Sequence, residues 1–152
     1  MFTVQELVLR DNKLRKIPDV SIFKNLLVFD VSFNEISSLN GLSNVSNTLK
    51  ELYVSKNEVN KMEELEHLHS LQILELGSNR LRVSIIYQLE DLWLNDNQIP
   101  SLKGIDVAVS GSREKLTTIY LERNPCATSS EYSTTLRQIF PNLQQIDSDI
   151  FM

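Results

Sequence analysis

The side chains that could catalyse a reaction or bind a metal ion are few in this chain. The only histidines are His67 and His69, and the single cysteine is Cys126. No third ligand accompanies the histidines at a metal-site spacing, no nucleophile is paired with a base, and no glycine-rich phosphate loop is present. The adjacent carboxylates Glu63 and Glu64 are typical of a solvated surface. The sequence therefore predicts a chain that is not an enzyme and uses no cofactor or metal ion.

Composition and net charge narrow the class of protein further. The 152 residues, 41% hydrophobic and 23% charged, suit one domain with a continuous core. No apolar run reaches the ~20 residues that cross a bilayer, so we expect no membrane contact. The net charge of −5 argues against direct binding to nucleic acid. A lone cysteine without a signal-peptide pattern favours the nucleus and cytoplasm.

One pattern recurs six times along the chain. It reads L-x-x-L-x-L-x-x-N-x-L, in which alternating apolar residues precede an asparagine. The third copy shows it as Leu49, Leu52, Val54, Asn57 and Val59. The asparagines of the six copies are Asn12, Asn34, Asn57, Asn79, Asn97 and Asn124. This pattern is that of the leucine-rich repeat.

The repeat predicts the architecture. Residues such as Leu52 and Val54 point into a core from one short strand, and the residues between them face outward. Strands of successive repeats stack in parallel, and the asparagine amides satisfy backbone groups of neighbouring turns. Because most units have only 22 or 23 residues, the convex side has room for short 3₁₀ or helical turns. We predict an α/β fold, a right-handed leucine-rich-repeat solenoid with six short parallel strands on its concave face.

The predicted solenoid is a single domain over residues 1–152. Its repeats are expected at about 4–25, 26–48, 49–70, 71–88, 89–115 and 116–128, followed by a cap at 129–152. Within the cap, Tyr132, Leu136 and Ile139 have helical spacing, and Pro141 ends the helix. The first repeat begins within four residues of Met1, so its strand is expected to form an uncapped edge that could self-associate.

One interval between repeats is unusually short. Asn79 and Asn97 are 18 residues apart, against 22 or 23 in the preceding repeats. Two explanations compete: a tightened loop, or a junction at residues 83–88 where whole repeats are absent.

With its repeats aligned, the chain resembles the leucine-rich-repeat regulatory subunits of protein phosphatase 1. The resemblance rests on the segments LEDLWLNDN at 89–97 and TIYLERNP at 118–125, and on the cap from Gln138-Ile139-Phe140-Pro141 to Gln145-Ile146-Asp147. Members of that family typically have about ten or more repeats and an N-terminal lead-in. The first four repeats look like an upstream block of such a protein and the last two like its final repeats, and the short interval falls between them. The resemblance therefore favours the junction at residues 83–88 over a tightened loop, and implies a shortened isoform or a fragment of such a protein.

The outward-facing positions of the strands are those that a partner would touch. Counted with the residues that flank them, they hold nine acidic and four basic residues, a balance that equals the net charge of −5 of the whole chain. Such a face steers basic surfaces toward it. Tyr53, Trp93 and Tyr120 occupy the same position in their repeats, and tyrosine and tryptophan are frequent binding hot spots. The alternative is that these rings only cover their neighbours.

In the resembled family, acidic and aromatic residues of this face contact the catalytic subunit of protein phosphatase 1. The resemblance implies that Asp91, Trp93 and Tyr120 do so here. The other candidate partner-binding residues are Glu75, Asp30, Tyr53, Glu51 and Glu122.

The expected function is that of a non-catalytic scaffold that binds and regulates this phosphatase. Two alternatives stay open. One is a spliceosome-associated scaffold similar to the A-prime protein, which shares short repeats and a similar cap. The other is a truncated product with little binding activity, because part of the concave surface would be missing.

Overall fold

A computed structural model describes residues 3–82, 88–103, 105 and 113–151, and its main element is one eight-stranded sheet. The strands follow one another in chain order. They are β1 (Glu6–Val8), β2 (Val28–Asp30), β3 (Glu51–Tyr53), β4 (Ile73–Glu75), β5 (Asp91–Trp93), β6 (Thr118–Tyr120), β7 (Gln145–Ile146) and β8 (Asp149–Ile150). The pairs from β1 to β7 are parallel, and β8 pairs with β7 antiparallel. The six predicted strands and the solenoid are confirmed, and β7 and β8 are additions within the cap.

The core lies directly behind the sheet. The central residue of each strand from β2 to β6 is fully buried, as the repeat pattern predicts; these are Phe29, Leu52, Leu74, Leu92 and Ile119. Short 3₁₀ helices form convex turns at Leu42–Val45, Leu65–His67 and Pro125–Thr128. Apolar residues after each asparagine, such as Ile36 and Leu39, pack these turns onto the strands. A compact convex turn is what a 22-residue unit allows.

The asparagines form a hydrogen-bonded ladder inside the solenoid, as predicted. The Asn57 amide donates to the backbone carbonyls of Val31 at 3.0 Å, Val54 at 3.1 Å and Ser55 at 3.3 Å. Its Oδ1 accepts the N–H of Ile36 at 2.9 Å. Equivalent bonds are made by four further asparagines, Asn34, Asn79, Asn97 and Asn124. Each rung thus joins two repeats, and the rungs from Asn57 onward do so through buried groups.

The residue before each asparagine adopts a left-handed backbone conformation. Its φ lies between 55° and 59° in all six repeats. The residues in this row are Asp11, Phe33, Lys56, Ser78, Asp96 and Arg123. In the first five repeats the N–H of this residue donates to a backbone carbonyl of the next repeat, as Phe33 does to Ser55 at 2.9 Å. The solenoid therefore imposes this conformation on whatever residue stands there, although it costs about 1–3 kcal/mol for a non-glycine residue.

The shortest interval does not interrupt the sheet or the ladder. Strands β4 and β5 keep the common register, with Leu74 opposite Leu92. The Asn97 amide donates to the Leu76 carbonyl, and its Oδ1 accepts the Leu81 N–H. Residues 83–87, where the predicted junction falls, lie outside the described residues, as do 104 and 106–112 of the longest interval.

The C-terminal cap contains the predicted helix, which runs from Tyr132 to Ile139. Tyr132, Leu136 and Phe140 are buried against the last repeat. Asp147 ends the ladder: one carboxylate oxygen accepts the N–H groups of Leu121 and Glu122, at 2.7 and 2.9 Å, and the other accepts the Tyr132 hydroxyl at 2.9 Å. The cap thus satisfies the Leu121 N–H, whose equivalents in earlier repeats donate to a backbone carbonyl of the next strand, as Leu94 does to Tyr120.

The opposite edge of the sheet is formed by β1. Its core-side residues Leu7 and Leu9 are only half-buried, and Val8 is 54% exposed. Their equivalents in the second repeat, Phe29 and Val31, are fully buried. Self-association through this edge stays a prediction.

Candidate functional site

The residues with catalytic or metal-binding chemistry do not come together. His67 and His69 are exposed around a convex turn, whereas Cys126 is buried in the turn before the cap. Across the described part of the chain, no group of three histidine, cysteine or acidic side chains could hold a metal ion. No helix in the same ranges is long and apolar enough to cross a bilayer.

Cys126 should be unreactive in the folded protein. It is 5% exposed, and burial raises the pKa of its thiol to about 11, which leaves very little thiolate at neutral pH. We expect a neutral-pH thiol reagent to modify it at least ~100-fold more slowly in buffer than in denaturant. The rate of mass-detected alkylation measures this difference. Equal rates in both conditions would show that the last convex turn is open.

Two rows of outward-facing side chains cross the strands. In what we call the aromatic row, Asp30, Tyr53, Glu75, Trp93 and Tyr120 are register partners on successive strands. In the second row, two residues earlier, the members from β1 to β6 are Glu6, Val28, Glu51, Ile73, Asp91 and Thr118. Neighbours in a row are spaced by the strand separation of about 4.8 Å. Seven of the eight predicted site residues therefore share two continuous rows, and Glu122 lies just past the end of β6.

The charge of the two rows is of one sign. Their charged members on β1 to β6 are Glu6, Asp30, Glu51, Glu75 and Asp91, and no lysine or arginine occurs among them. The basic residues counted on this face at the sequence level lie beyond the strand ends. The negative potential is thus concentrated on the strands themselves, which sharpens the predicted asymmetry.

Trp93 and Tyr120 form the centre of the aromatic row. Their rings stack with centroids 3.9 Å apart and an angle of 14° between the planes. The side-chain amide of Gln145 in the cap donates to the Tyr120 hydroxyl and also to the Asp147 carbonyl. The pair is therefore fixed in orientation before any partner arrives, which reduces the entropy lost on binding.

Tyr53 belongs to a small acidic network. Its hydroxyl donates to Glu51 at 2.7 Å. Burial raises the pKa of the Tyr53 phenol above its ordinary range, and the Glu51 hydrogen bond and nearby carboxylates add to the effect. Glu75 in turn accepts a 2.8 Å hydrogen bond from the Ser55 hydroxyl. These two carboxylates are therefore held in place by neutral donors.

The remaining acidic candidates differ in the hydrogen bonds and ion pairs that their carboxylates already make within the chain. Asp30 accepts the Ser32 N–H and lies 3.9 Å from the Arg10 guanidinium. Glu122 lies 2.9 Å from the Arg123 guanidinium. Among the residues that the structure describes, the Asp91 side chain has neither a hydrogen bond nor an ion pair, although it is half-buried. Among the candidate residues, Asp91 is therefore the carboxylate most available to a partner cation.

Two contacts around this surface were not predicted from the sequence. Gln145 orients Tyr120, and the Arg123 guanidinium binds Asp96, which lies in the same repeat as Trp93. The Arg123 hydrogen bond holds the pKa of the Asp96 carboxyl below its usual range. Gln145 lies in the Gln-Ile-Asp segment of the cap, which carried a family signal but no indication of contact with the strands.

Solved structures with similar backbones share the repeat architecture. The functional domain of InlJ from Listeria monocytogenes has a TM-score of 0.71 at 23% identity, over 95% of this chain and 29% of that one. The Drosophila melanogaster SNF/U2A' complex contains a chain with a TM-score of 0.55 at 24% identity, over 97% of this chain and 74% of that one. Both likenesses support the fold alone. No family model matches the chain.

Sequence matches to curated proteins give more specific information about the family than the shared fold does. The chain is 37% identical over 60 residues to the protein phosphatase 1 regulatory subunit pprA of Dictyostelium discoideum, which covers 40% of the chain and 17% of the relative. It is 28% identical over 124 residues to the probable U2 small nuclear ribonucleoprotein A' of Drosophila melanogaster, over 78% and 46% of the two chains.

The strongest evidence for the family is the sequence similarity to a plant protein. The chain is 45% identical, over 97% of its length, to the protein phosphatase 1 regulatory inhibitor subunit PPP1R7 homolog of Arabidopsis thaliana, of which the match covers 73%. The alignment is 239 residues long, whereas 97% of 152 residues is about 147, so about 90 positions have no counterpart in this chain. That is about the length of four 22-residue repeats. The chain belongs to the family of leucine-rich-repeat regulatory subunits of protein phosphatase 1.

Proposed function

We propose that this chain is a non-catalytic scaffold that binds the catalytic subunit of protein phosphatase 1 with the two rows of its concave face. The observation that carries the proposal is the continuous register of acidic and aromatic side chains across β2 to β6. Membership of the family supports the identity of the partner. The scattered positions of His67, His69 and Cys126 support the non-catalytic part.

The charge of the rows defines the kind of surface that they bind. Five carboxylates and no cation on the strands attract a basic patch and repel an acidic one. Charges of this kind act mainly on the association rate and lose strength within the ~8 Å Debye length at physiological salt. Binding should therefore weaken as the salt concentration rises.

The stacked pair supplies the contact with the largest expected energy. Trp93 and Tyr120 are half-buried, so each leaves part of its ring open on the concave side. Asp91 lies on the same strand as Trp93, two residues earlier, and its charge is unpaired in the described structure. An apolar or cationic side chain of the partner can contact the rings and the carboxylate together.

Binding to the purified phosphatase catalytic subunit tests the proposal. Wild type should bind, and the double variant Trp93→Ala with Asp91→Ala should lose at least ~30-fold in affinity, because hot-spot truncations cost about 2 kcal/mol or more. The matched control is Glu63→Gln, which removes an exposed carboxylate from the convex side. Its affinity should stay within about twofold of wild type. Undiminished binding by the double variant would contradict the assignment of this site.

A spliceosomal scaffold is the second candidate, supported by the likeness to the U2 A' protein. The same experiment separates the two. A wild-type chain that does not bind the phosphatase but binds a purified protein component of the U2 ribonucleoprotein would favour the spliceosomal scaffold.

A further inference from the structure

Phe33 occupies a position at which the fold has no use for an aromatic ring. It belongs to the left-handed row, in which the other five residues are charged or serine. Four other residues of the row make the same backbone hydrogen bond that the Phe33 N–H makes to Ser55, so this bond does not depend on the side chain. A bulky residue with positive φ is an outlier that calls for an explanation.

Burial does not explain this ring. Phe33 is 39% exposed, whereas Phe29 in the same repeat is fully buried. The ring instead contacts two cations from the repeats on either side. The Arg10 guanidinium lies 4.5 Å from the ring centroid, and the Lys56 ammonium lies 5.7 Å from it. Cation–π contacts at exposed sites contribute about 0.5–1 kcal/mol each, which is comparable to the backbone cost and leaves little net stabilisation.

The two cations are not consumed by ion pairs. Arg10 approaches one carboxylate, Asp30, at 3.9 Å, at the limit of an ion pair. Lys56 makes no ion pair with any residue that the structure describes. In the row, the ring is flanked by Asp11 on one side, and Asp96 farther along is already bound by Arg123. This rim patch, made of Arg10, Phe33 and Lys56, therefore differs in sign from the acidic strand rows beside it.

The geometry limits what the patch can bind. Since both cationic centres lie over one ring, at 4.5 and 5.7 Å from its centroid, they are at most about 10 Å apart. The ring restrains two side chains that otherwise lose much rotamer entropy on binding. An extended segment advances about 3.3 Å per residue, so carboxylates two or three residues apart match the span.

We propose that the rim patch docks an acidic, extended segment of the phosphatase catalytic subunit, in addition to the basic surface that contacts the strand rows. This inference rests on the proposed function for the identity of the partner. Carboxylates of the segment pair with Arg10 and Lys56, and Phe33 keeps both cations in position. The concave side would then bind two patches of opposite charge on the partner, and this arrangement fixes the partner's orientation.

Binding measurements with the phosphatase catalytic subunit test the proposal. Arg10→Gln with Lys56→Gln should weaken binding at least tenfold, and Phe33→Ser, which installs the residue that repeat four carries at this position, should weaken it about three- to tenfold. The control is Lys24→Gln, which removes one exposed positive charge before β2 and should stay within twofold. Binding within twofold of wild type by both the double variant and Phe33→Ser would overturn the proposal.

A second probe distinguishes failure of the patch from failure of the proposed function. If wild type does not bind the phosphatase at all, a peptide containing Glu-x-x-Glu is titrated into labelled protein and followed by NMR, beside the same peptide with glutamines. Chemical-shift changes at Arg10 and Lys56 that occur with the glutamate peptide and disappear in the Phe33→Ser variant would show that the rim patch binds acidic segments, and its partner would then be a protein other than the phosphatase. Absence of any difference between the peptides would overturn it.

Discussion

Replacing Asn57 by alanine should lower the free energy of unfolding by about 3–5 kcal/mol. The amide of Asn57 makes three buried donor bonds and accepts one. The carbonyls of Val31 and Val54 retain a second donor from Asn34 and Asn79, so they lose one bond each without becoming unpaired. The Ile36 N–H, in contrast, is buried and loses its acceptor, and an unpaired buried donor costs about 1–3 kcal/mol by itself.

Asn12→Ala is the matched control. Asn12 is exposed, and its amide bonds only to Leu9 and Arg10 of its own turn, at 3.0 and 3.2 Å. The same substitution should therefore cost less than about 1 kcal/mol. Urea unfolding followed by circular dichroism measures both. Equal losses in the two variants would mean that the ladder between repeats adds nothing to the stability of the solenoid.

The strands and the ladder could be predicted because both follow from local periodicity. Leu52 and Val54 must share a face when the backbone is extended, and an asparagine at a fixed offset must meet the same groups in each repeat. Even the 27 residues between Asn97 and Asn124 do not matter to this prediction, since β5 and β6 pair in the common register. Trp93 and Tyr120 become neighbours for that reason.

The left-handed row could not be predicted from residue types. Glycine and asparagine usually mark positive φ, and neither occurs at the six positions. The conformation is instead imposed by hydrogen bonds to the next repeat, which a single-repeat pattern does not contain. For the same reason the contact between Phe33 and its two cations, which spans three repeats, was not foreseen.

The charge of the site was predicted in sign but not in detail. The charge count made from the sequence included residues that flank the strands, such as Lys50 and Glu90. These two precede β3 and β5 and are exposed. The paired register separates such residues from the strand rows, where every charge is negative. Likewise β7 was missed, because a two-residue strand has no alternation to detect.

Asp147→Ala should be the most damaging change in the cap and should also disturb the binding surface. The carboxylate of Asp147 accepts two backbone N–H groups and the Tyr132 hydroxyl, and charge-assisted bonds of this kind are the stronger ones. Its own φ of 52° also disfavours alanine. We expect a loss of about 3–4 kcal/mol in unfolding free energy, with faster hydrogen exchange at Leu121 and Glu122. Asp149→Ala, an exposed carboxylate in β8, should cost less than about 0.5 kcal/mol.

The link from the cap to the site runs through Gln145, which bonds both the Asp147 carbonyl and the Tyr120 hydroxyl. If the turn at Asp147 loosens, Tyr120 loses this restraint and its stacking on Trp93 weakens. Because Trp93 is the only tryptophan in the chain, intrinsic fluorescence reports this change directly. Asp147→Ala should shift the emission of the still-folded protein and reduce phosphatase affinity about three- to tenfold, since a binding surface loses affinity when it must be ordered on contact. Unchanged emission and affinity in a folded Asp147→Ala variant would show that the aromatic pair holds its orientation without the cap.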